Sequence, residues 1–221
     1  MRRSRSWVVS ELRMPDAVER EDLGAFVARA VRLDGQALVR LRNRPGAGRV
    51  DVWAATPFDA LSTRSVEGEV EPADLTVSGN ELLATLTVAG APVMDPGPPR
   101  DLMWRSELPP AVGWQRVDDL PAKLVGEVAE RGIDVAKDNV GPKGTPPASL
   151  LDQEVFTVSG AGYQVKVPLR CLFVLSGMGF LVSKPAESEI VRVSATDAWL
   201  RLDSRYGAVV RRRHALLPLL V

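Results

Sequence analysis

Hydrophobic positions in the N-terminal part of the chain first follow a helical period. Ser6–Leu12 is read as a strand, and Asp16 with Glu19 three residues later has the spacing of a capping box that opens a helix. Gly35 is suited to end that helix. The predicted apolar stripe consists of Leu23, Phe26, Val27, Ala30 and Val31.

After Gly35 the pattern changes to that of strands. Ala37–Arg44 and Arg49–Ala55 are read as two strands joined by RPGAG, a link of hairpin length. A third strand is expected over Ala60–Val70. Ser78 with Glu81 then predicts a short helix.

The C-terminal part repeats this mixture of periods. Asp118 and Asp119 before Pro121 predict a helix start, with an apolar face formed by Leu124, Val125, Val128, Val135 and Ala136. Pro168 is placed to open an apolar helix that ends near Met178. Three strands are expected after it, over Ile190–Val193, Ala198–Leu202 and Ala208–Arg212.

One segment has two interpretations. Glu154–Ser159 and Tyr163–Val167 form either two strands around Gly160 and Gly162, or a first part that continues a helix from Ser149. We favour the two strands, but the sequence does not decide whether residues 154–167 form a hairpin or part of a helix.

The domain boundary is expected at Gly90–Arg100, where six of eleven residues are Gly or Pro. The predicted organisation is an N-terminal α+β domain at 1–90, a linker at 91–100, and a C-terminal α+β domain at 101–221 with an apolar tail. The fold class is therefore α+β, with two small domains. Helices followed by an arginine-bearing strand hairpin also have the order of a winged-helix module, so we expect the second domain to be winged-helix-like with a C-terminal β-hairpin.

Composition limits the chemistry that the chain can perform. Its 28 basic and 28 acidic residues give no net charge that would attract nucleic acid or an anionic membrane. The single cysteine, Cys171, lies in the most apolar segment and is read as a buried structural residue. With His214 as the single histidine, we predict no catalytic residue, metal site or cofactor, although an enzyme that uses carboxylates alone stays open.

The glycine pair Gly160 and Gly162 could suggest a phosphate loop. A dinucleotide fingerprint would need a third glycine where Val165 stands, and no phosphate-binding lysine follows. We therefore read the pair as turn geometry.

Arginines near the C-terminus are the candidate contacts for an anion or a nucleic acid. The set is Arg192, Arg201, Arg205, Arg211, Arg212 and Arg213. The preceding apolar helix lacks the polar side chains that read base edges, so nucleic-acid binding ranks below protein interaction.

The tail that follows His214 is wholly apolar and is the candidate interface. Its residues Leu216, Leu217, Leu219, Leu220 and Val221 either cover the chain's own core or contact a second subunit, and we predict a homodimer or another protein partner. No signal-peptide core follows the basic N-terminus, and Val167–Val182 is too short to span a membrane, so we expect a cytoplasmic protein without membrane contact.

Two pairs of segments carry a resemblance: AVRLDGQALVRLR at Ala30–Arg42 with TPFDALSTRSV at Thr56–Val66, and VPLRCLFVLSGMGFL at Val167–Leu181 with WLRLDSRYG at Trp199–Gly207. They resemble a group of uncharacterised two-domain actinobacterial proteins, and the likeness spans most of the chain. The resemblance implies two domains and no assigned activity. The sequence thus predicts a non-enzymatic binding or protein-interaction protein, with a nucleic-acid-binding regulator and a carboxylate enzyme as alternatives.

Overall fold

The chain divides into two units, and each is described by itself. The structure is a computed structural model that describes residues 10–88, 90–138 and 146–213. The first unit comprises Met1–Ala54 with Arg64–Ser106, and the second comprises Ala55–Thr63 with Glu107–Val221. The segment 91–100, expected as a linker, lies within the first unit, where Met94 pairs with Leu12. The predicted bounds of the two domains stay a prediction.

The first unit combines two sheets with a pair of helices. Its elements are β1 (Glu11–Arg13), α1 (Ala17–Leu33), β2 (Leu38–Arg44), β3 (Arg49–Ala55), β4 (Leu61–Glu67), β5 (Glu69–Glu71), β6 (Asp74–Ser78), α2 (Gly79–Val88) and β7 (Val93–Met94). A 3-10 turn follows at Asp101–Met103. One sheet has the order β5-β1-β7. In the other sheet, β6, β2 and β3 are neighbours in that order. The α+β prediction is confirmed for this unit.

Helix α1 forms where its sequence predicts it. The Asp16 carboxylate accepts a hydrogen bond from the Val18 amide at 2.7 Å, which satisfies a donor at the helix start. Leu23, Phe26 and Val27 are buried against the unit's core. The helix ends at Leu33 because Asp34, whose amide still donates to the Ala30 carbonyl, has an extended backbone conformation.

The second unit is built on an antiparallel sheet. Its elements are β8 (Gln115–Pro121), α3 (Ala122–Asp138), α4 (Ala148–Leu151), β9 (Glu154–Gly160), β10 (Tyr163–Pro168), α5 (Leu169–Gly177), β11 (Ile190–Ala195), β12 (Trp199–Ser204) and β13 (Gly207–Arg212). Within this unit the sheet order is β4-β13-β12-β11-β8, with β4 contributing its residues 61–63. Strands β9 and β10 form a separate two-stranded sheet. The hairpin alternative is therefore correct for residues 154–167.

The winged-helix expectation for the second unit is not supported. The three strands after α5 are consecutive members of the larger sheet, and do not form an isolated hairpin. Residues 169–175 of α5 are all buried, so this helix has no free face for a DNA groove. Its apolar composition signals a core helix.

Two local predictions were incomplete at strand ends. Helix α3 begins directly after Pro121, as predicted, but Asp118 and Asp119 belong to a strand, β8, that was not predicted and whose Val117 and Leu120 are buried. The strand expected over Ala60–Val70 is divided at Gly68, where the chain leaves β4 and enters β5. Pairing with partner strands that are distant in sequence fixes both segments, and local pattern does not contain that information.

Candidate functional site

Strand β13 directs neighbouring arginines to different surroundings. Arg211 and Arg213 line one cleft of the second unit, as expected for residues two apart near a strand end. Arg212 between them forms an ion pair with Glu107 and lies over the Trp199 ring, 4.8 Å from its centroid. The three consecutive arginines 211–213 therefore do not form one continuous basic surface.

The cleft that holds Arg211 and Arg213 has a volume of about 450 Å³. We call it the arginine cleft. It is lined by Asp152, Glu154, Gln164, Lys166, Pro168, Arg211 and Arg213. Because the α4–β9 junction, the β9–β10 hairpin and β13 all contribute, the cleft depends on the fold of the whole unit.

The carboxylate of Asp152 is held by a buried cation. Arg170 is 8% exposed and donates to the Asp152 Oδ1 from Nε at 3.0 Å and from Nη2 at 2.5 Å. Its Nη1 donates to the Phe58 carbonyl at 3.0 Å. Arg170 thus meets its own need for acceptors and neutralises one acid of the cleft.

Only some of the guanidinium donors of Arg211 have hydrogen-bond acceptors among the described residues. Its Nη2 donates to Asp59 Oδ2 at 3.0 Å, and its Nη1 donates to the Arg212 carbonyl at 3.1 Å. The Nε of Arg211 is buried and has no hydrogen-bond partner within the described part of the chain. A buried donor without an acceptor marks a place where a further group can bind.

Arg213 is anchored by carbonyl groups. Its Nη1 donates to Thr196 at 3.0 Å and its Nη2 donates to Gln164 at 2.8 Å, while the guanidinium carbon lies 5.4 Å from the Tyr163 ring centroid. Among residues 10–88, 90–138 and 146–213, no carboxylate forms an ion pair with it. Lys166, by contrast, pairs with Glu154 at 2.9 Å.

The other predicted arginines lie apart from the lining of this cleft. Arg192 pairs with Asp119 at 3.2 Å, and Arg201 pairs with Asp203 at 2.7 Å. Arg205 is exposed and lies 5.6 Å from the Tyr206 ring centroid. The structure therefore brings two members of the predicted set into one cleft, and the assignment of all six as anion contacts stays a prediction.

Lys166 and Gln164 are cleft residues that sequence reasoning did not single out. They alternate along β10 with the buried Val165 and Val167, so their side chains share the exposed face. The alternation would have identified that face, provided that residues 154–167 had first been fixed as strands.

Cys171 is buried and free. Burial raises the pKa of its thiol to about 12, against smaller lowering effects from Arg211 and Arg170. A thiol with this pKa stays protonated near neutral pH, which makes it a poor nucleophile and fits its predicted structural role.

Gly160 has a packing role. A Cβ on this residue would lie 2.1 Å from the carbonyl oxygen of Val117 in β8, which only glycine avoids. Gly162 has φ +80° in the turn between β9 and β10. Close approach and turn geometry therefore account for the glycine pair that could have suggested a phosphate loop.

Two arginines on β2 are paired with aspartates. Arg40 donates twice to Asp74, at 2.7 and 2.8 Å, and Arg44 pairs with Asp51 at 2.6 Å. Within the described ranges, no group of three or more His, Cys, Asp or Glu residues could hold a metal ion.

A groove lined by both apolar and polar residues adjoins the arginine cleft in the second unit. We call it the α3 groove; it measures about 380 Å³. Its lining residues are Val128, Arg131, Gly132, Val135, Leu150, Gln153, Glu154, Val155 and Leu169. Glu154 lines both cavities, so the groove and the cleft are neighbours. Val135 remains 49% exposed in it.

Several predicted features fall outside the described residues. These are His214 and the candidate interface of Leu216, Leu217, Leu219, Leu220 and Val221. In the part that the structure describes, no helix is both long and apolar enough to cross a membrane.

Comparisons with known proteins concern the two parts of the chain and its fold. Residues 8–106 match the family described as "Domain of unknown function (DUF8010)", and residues 109–216 match "Domain of unknown function (DUF8185)". The comparison with curated protein sequences found no match.

Solved structures with a similar fold include bacterial sliding clamps. The Caulobacter crescentus beta sliding clamp is 12% identical, with 95% of this chain and 66% of that chain covered and a TM-score of 0.58. A protein described as a DNA polymerase III beta subunit from Eubacterium rectale is 12% identical, with 93% and 65% covered and a TM-score of 0.58. The DNA polymerase III beta subunit of Thermotoga maritima is 12% identical, with 95% and 66% covered and a TM-score of 0.52.

This chain spans just under two thirds of the length of the clamp subunits that it matches. At such low identity the likeness concerns the fold alone. The chain thus combines two domains that match families of unknown function, in an α+β architecture similar to that of the bacterial sliding clamp.

Proposed function

We propose that the chain is a non-enzymatic protein-interaction protein whose partner docks on the α3 groove. The observation that carries this proposal is the groove itself, in which apolar side chains from α3, α4, β9 and α5 line an open cavity. Val135 is half exposed there although it lies on a helix with a buried face. Exposed apolar surface of this kind commonly marks an interface.

The site chemistry supports binding over catalysis. The cysteine is protonated and buried, and the acids of the adjoining cleft are occupied by Arg170 and Lys166. A nucleophile is activated by an adjacent base, a lowered pKa or a metal, whereas burial raises the pKa of Cys171. The alternative of an enzyme that uses carboxylates alone would need two convergent acids with raised pKa values.

A DNA-associated role is the second candidate, because the similar solved structures are DNA polymerase sliding clamps. The helices argue against a strong phosphate contact. Helix α1 carries three basic and three acidic residues, and α3 carries three basic and four acidic residues. A DNA-binding surface normally has a clustered basic face.

Capture from a lysate of the source organism tests the proposal. The immobilised full chain is compared with Val135→Glu, which places a charge in the groove, and with Val112→Glu as the matched control at another exposed valine of the same unit. We expect wild type and Val112→Glu to retain a common protein that Val135→Glu loses. Retention of that protein by all three chains would contradict docking on the α3 groove.

Mobility shifts on duplex DNA and RNA at low salt test the second candidate. Phosphate contacts must weaken steeply with salt, and replacement of Arg211, Arg212 and Arg213 by glutamine should reduce the salt slope. Absence of retardation at micromolar protein would remove the DNA-associated role.

The chain is further proposed to form a homodimer through the tail residues Leu216–Val221. The support is the apolar sequence of that tail, which is costly to leave in water. Isologous dimers are the commonest closed assemblies.

A further inference from the structure

We propose that the arginine cleft binds an oxyanion, a carboxylate or a phosphate group, between Arg211, Arg213 and Lys166. The site adjoins the α3 groove but does not depend on the identity of a protein partner. Within the residues that the structure describes, Arg213 has no carboxylate partner and the Nε of Arg211 has no acceptor.

The acids of the cleft are already matched with cations. Asp152 accepts from Arg170 at 2.5 Å, and Glu154 pairs with Lys166 at 2.9 Å. Asp59 pairs with Arg211 at 3.0 Å. Arg213 has no such carboxylate within the described part of the chain, so it is the charge that remains for a ligand.

The guanidinium of Arg213 is oriented before any ligand arrives. Its bonds to the Thr196 and Gln164 carbonyls fix its plane between the β11–β12 turn and strand β10. A guanidinium has five N–H donors, and these two bonds leave others available. Because the carbonyls are neutral, they position the group without cancelling its charge.

Arg211 supplies a second donor. Its Nε is buried and has no acceptor among the described residues, and Arg211 lines the same cleft as Arg213. An oxygen of an entering anion would satisfy this donor. Guanidinium groups present parallel donors that match the geometry of carboxylates and phosphates, which is why the predicted ligand is an oxyanion.

The size of the cleft is compatible with a ligand larger than a single ion. About 450 Å³ falls in the range of cavities that bind small molecules. The lining includes the Gln164 amide and the Lys166 ammonium, both at the exposed face of β10. These side chains can donate to a second oxygen of the same anion.

Titration followed by nuclear magnetic resonance tests the site. The full chain, labelled with nitrogen-15, is titrated with inorganic phosphate and separately with glutarate, at an ionic strength held constant with sodium chloride. We expect the Nε–H signal of Arg211 to move saturably with at least one of the two anions. Saturation by glutarate alone identifies a carboxylate ligand, and saturation by phosphate alone identifies a phosphate ligand.

Variants assign the effect to the cleft. Arg213→Gln should raise the dissociation constant by about fivefold or more, because a charge-assisted hydrogen bond to the anion is lost. Arg205→Gln, an exposed arginine outside the cleft lining, should leave the constant unchanged. If Arg213→Gln does not fold, Lys166→Gln replaces it, because Lys166 is largely exposed and its loss should also weaken binding.

Two results would overturn the inference. One is a signal that moves linearly with both anions and to the same extent as with chloride. The other is a dissociation constant that is equal in wild type, in Arg213→Gln and in Lys166→Gln. Both results are independent of the α3 groove, so failure of the anion site leaves the proposed protein interaction to its own test.

Discussion

Arg170 donates two hydrogen bonds to a single oxygen of Asp152. The arginine lies on the buried helix α5, and the aspartate follows α4, so the pair fixes the start of β9 against the core. The third bond of Arg170, to the Phe58 carbonyl, extends this hold to the segment 55–63 of the same unit.

Replacing Arg170 should destabilise the second unit. Arg170→Met keeps the apolar stem but leaves Asp152 and the Phe58 carbonyl without their donor, and we expect a loss of about 2–3 kcal/mol in the free energy of unfolding. Urea unfolding followed by circular dichroism measures it. Arg205→Met, at an exposed site, should stay within about 0.5 kcal/mol of wild type. Equal stability of both variants would show that the Arg170 bonds do not contribute.

The buried thiol of Cys171 predicts a loss of stability at high pH. Its pKa is raised from 9.0 to about 12 in the folded chain, so the unfolded chain releases the proton first as the pH rises. The thiol's contribution to stability is therefore complete below pH 9 and is lost as the pH rises toward 12.

Comparison with Cys171→Ala isolates this effect from other groups that titrate in the same range. The difference in unfolding free energy between wild type and variant should change by about 1 kcal/mol per pH unit above pH 9, with wild type losing more. A difference that stays constant with pH would mean that the thiol ionises equally in both states.

The close approach at Gly160 predicts a site that rejects any side chain. Gly160→Ala would place its Cβ against the Val117 carbonyl, so we expect a loss of about 1–3 kcal/mol. Gly126→Ala on helix α3 is the matched control, since a Cβ there meets no atom within 4 Å. The control should gain about 0.5–1 kcal/mol from helix propensity. Thermal unfolding of both variants distinguishes the cases, and a stable Gly160→Ala would disprove the packing role.

Elements with a strong local signal could be predicted from the sequence. The cap residue Asp16 and the apolar stripe predict helix α1. Pro168 and the continuous apolar run after it predict α5. Strand β8 could not be predicted because Asp118 and Asp119 before Pro121 have the composition of a helix start. Pairing with β11, about seventy residues away, determines its conformation instead. Actinobacterial origin stays a prediction.

Only some of the residues of the arginine cleft could be predicted from the sequence. Alternation at the end of β13, which Arg213 directly follows, accounts for Arg211 and Arg213 sharing a cleft, and the strand itself was predicted. Lys166 and Asp152 join them through the β9–β10 hairpin and α4, whose local sequence left two interpretations open. A site assembled from residues 152–213 requires the tertiary fold, which spacing alone does not give.

Self-association is expected to depend on the apolar tail. Light scattering on the full chain should give the mass of a dimer, and the chain shortened to end at His214 should give that of a monomer, because the removed leucines supply apolar contact area. A monomer in both cases, with the shortened chain less stable, would mean that the tail covers its own core.

Site-specific photo-crosslinking in cells of the source organism tests the protein-interaction account most directly. The photoreactive residue p-benzoylphenylalanine replaces Val135 in the α3 groove and, in a separate control chain, replaces the exposed Val112. Irradiation should give a discrete protein adduct from position 135 and none from position 112. No protein adduct from position 135, the same adducts from both positions, or an adduct with nucleic acid alone would contradict the account.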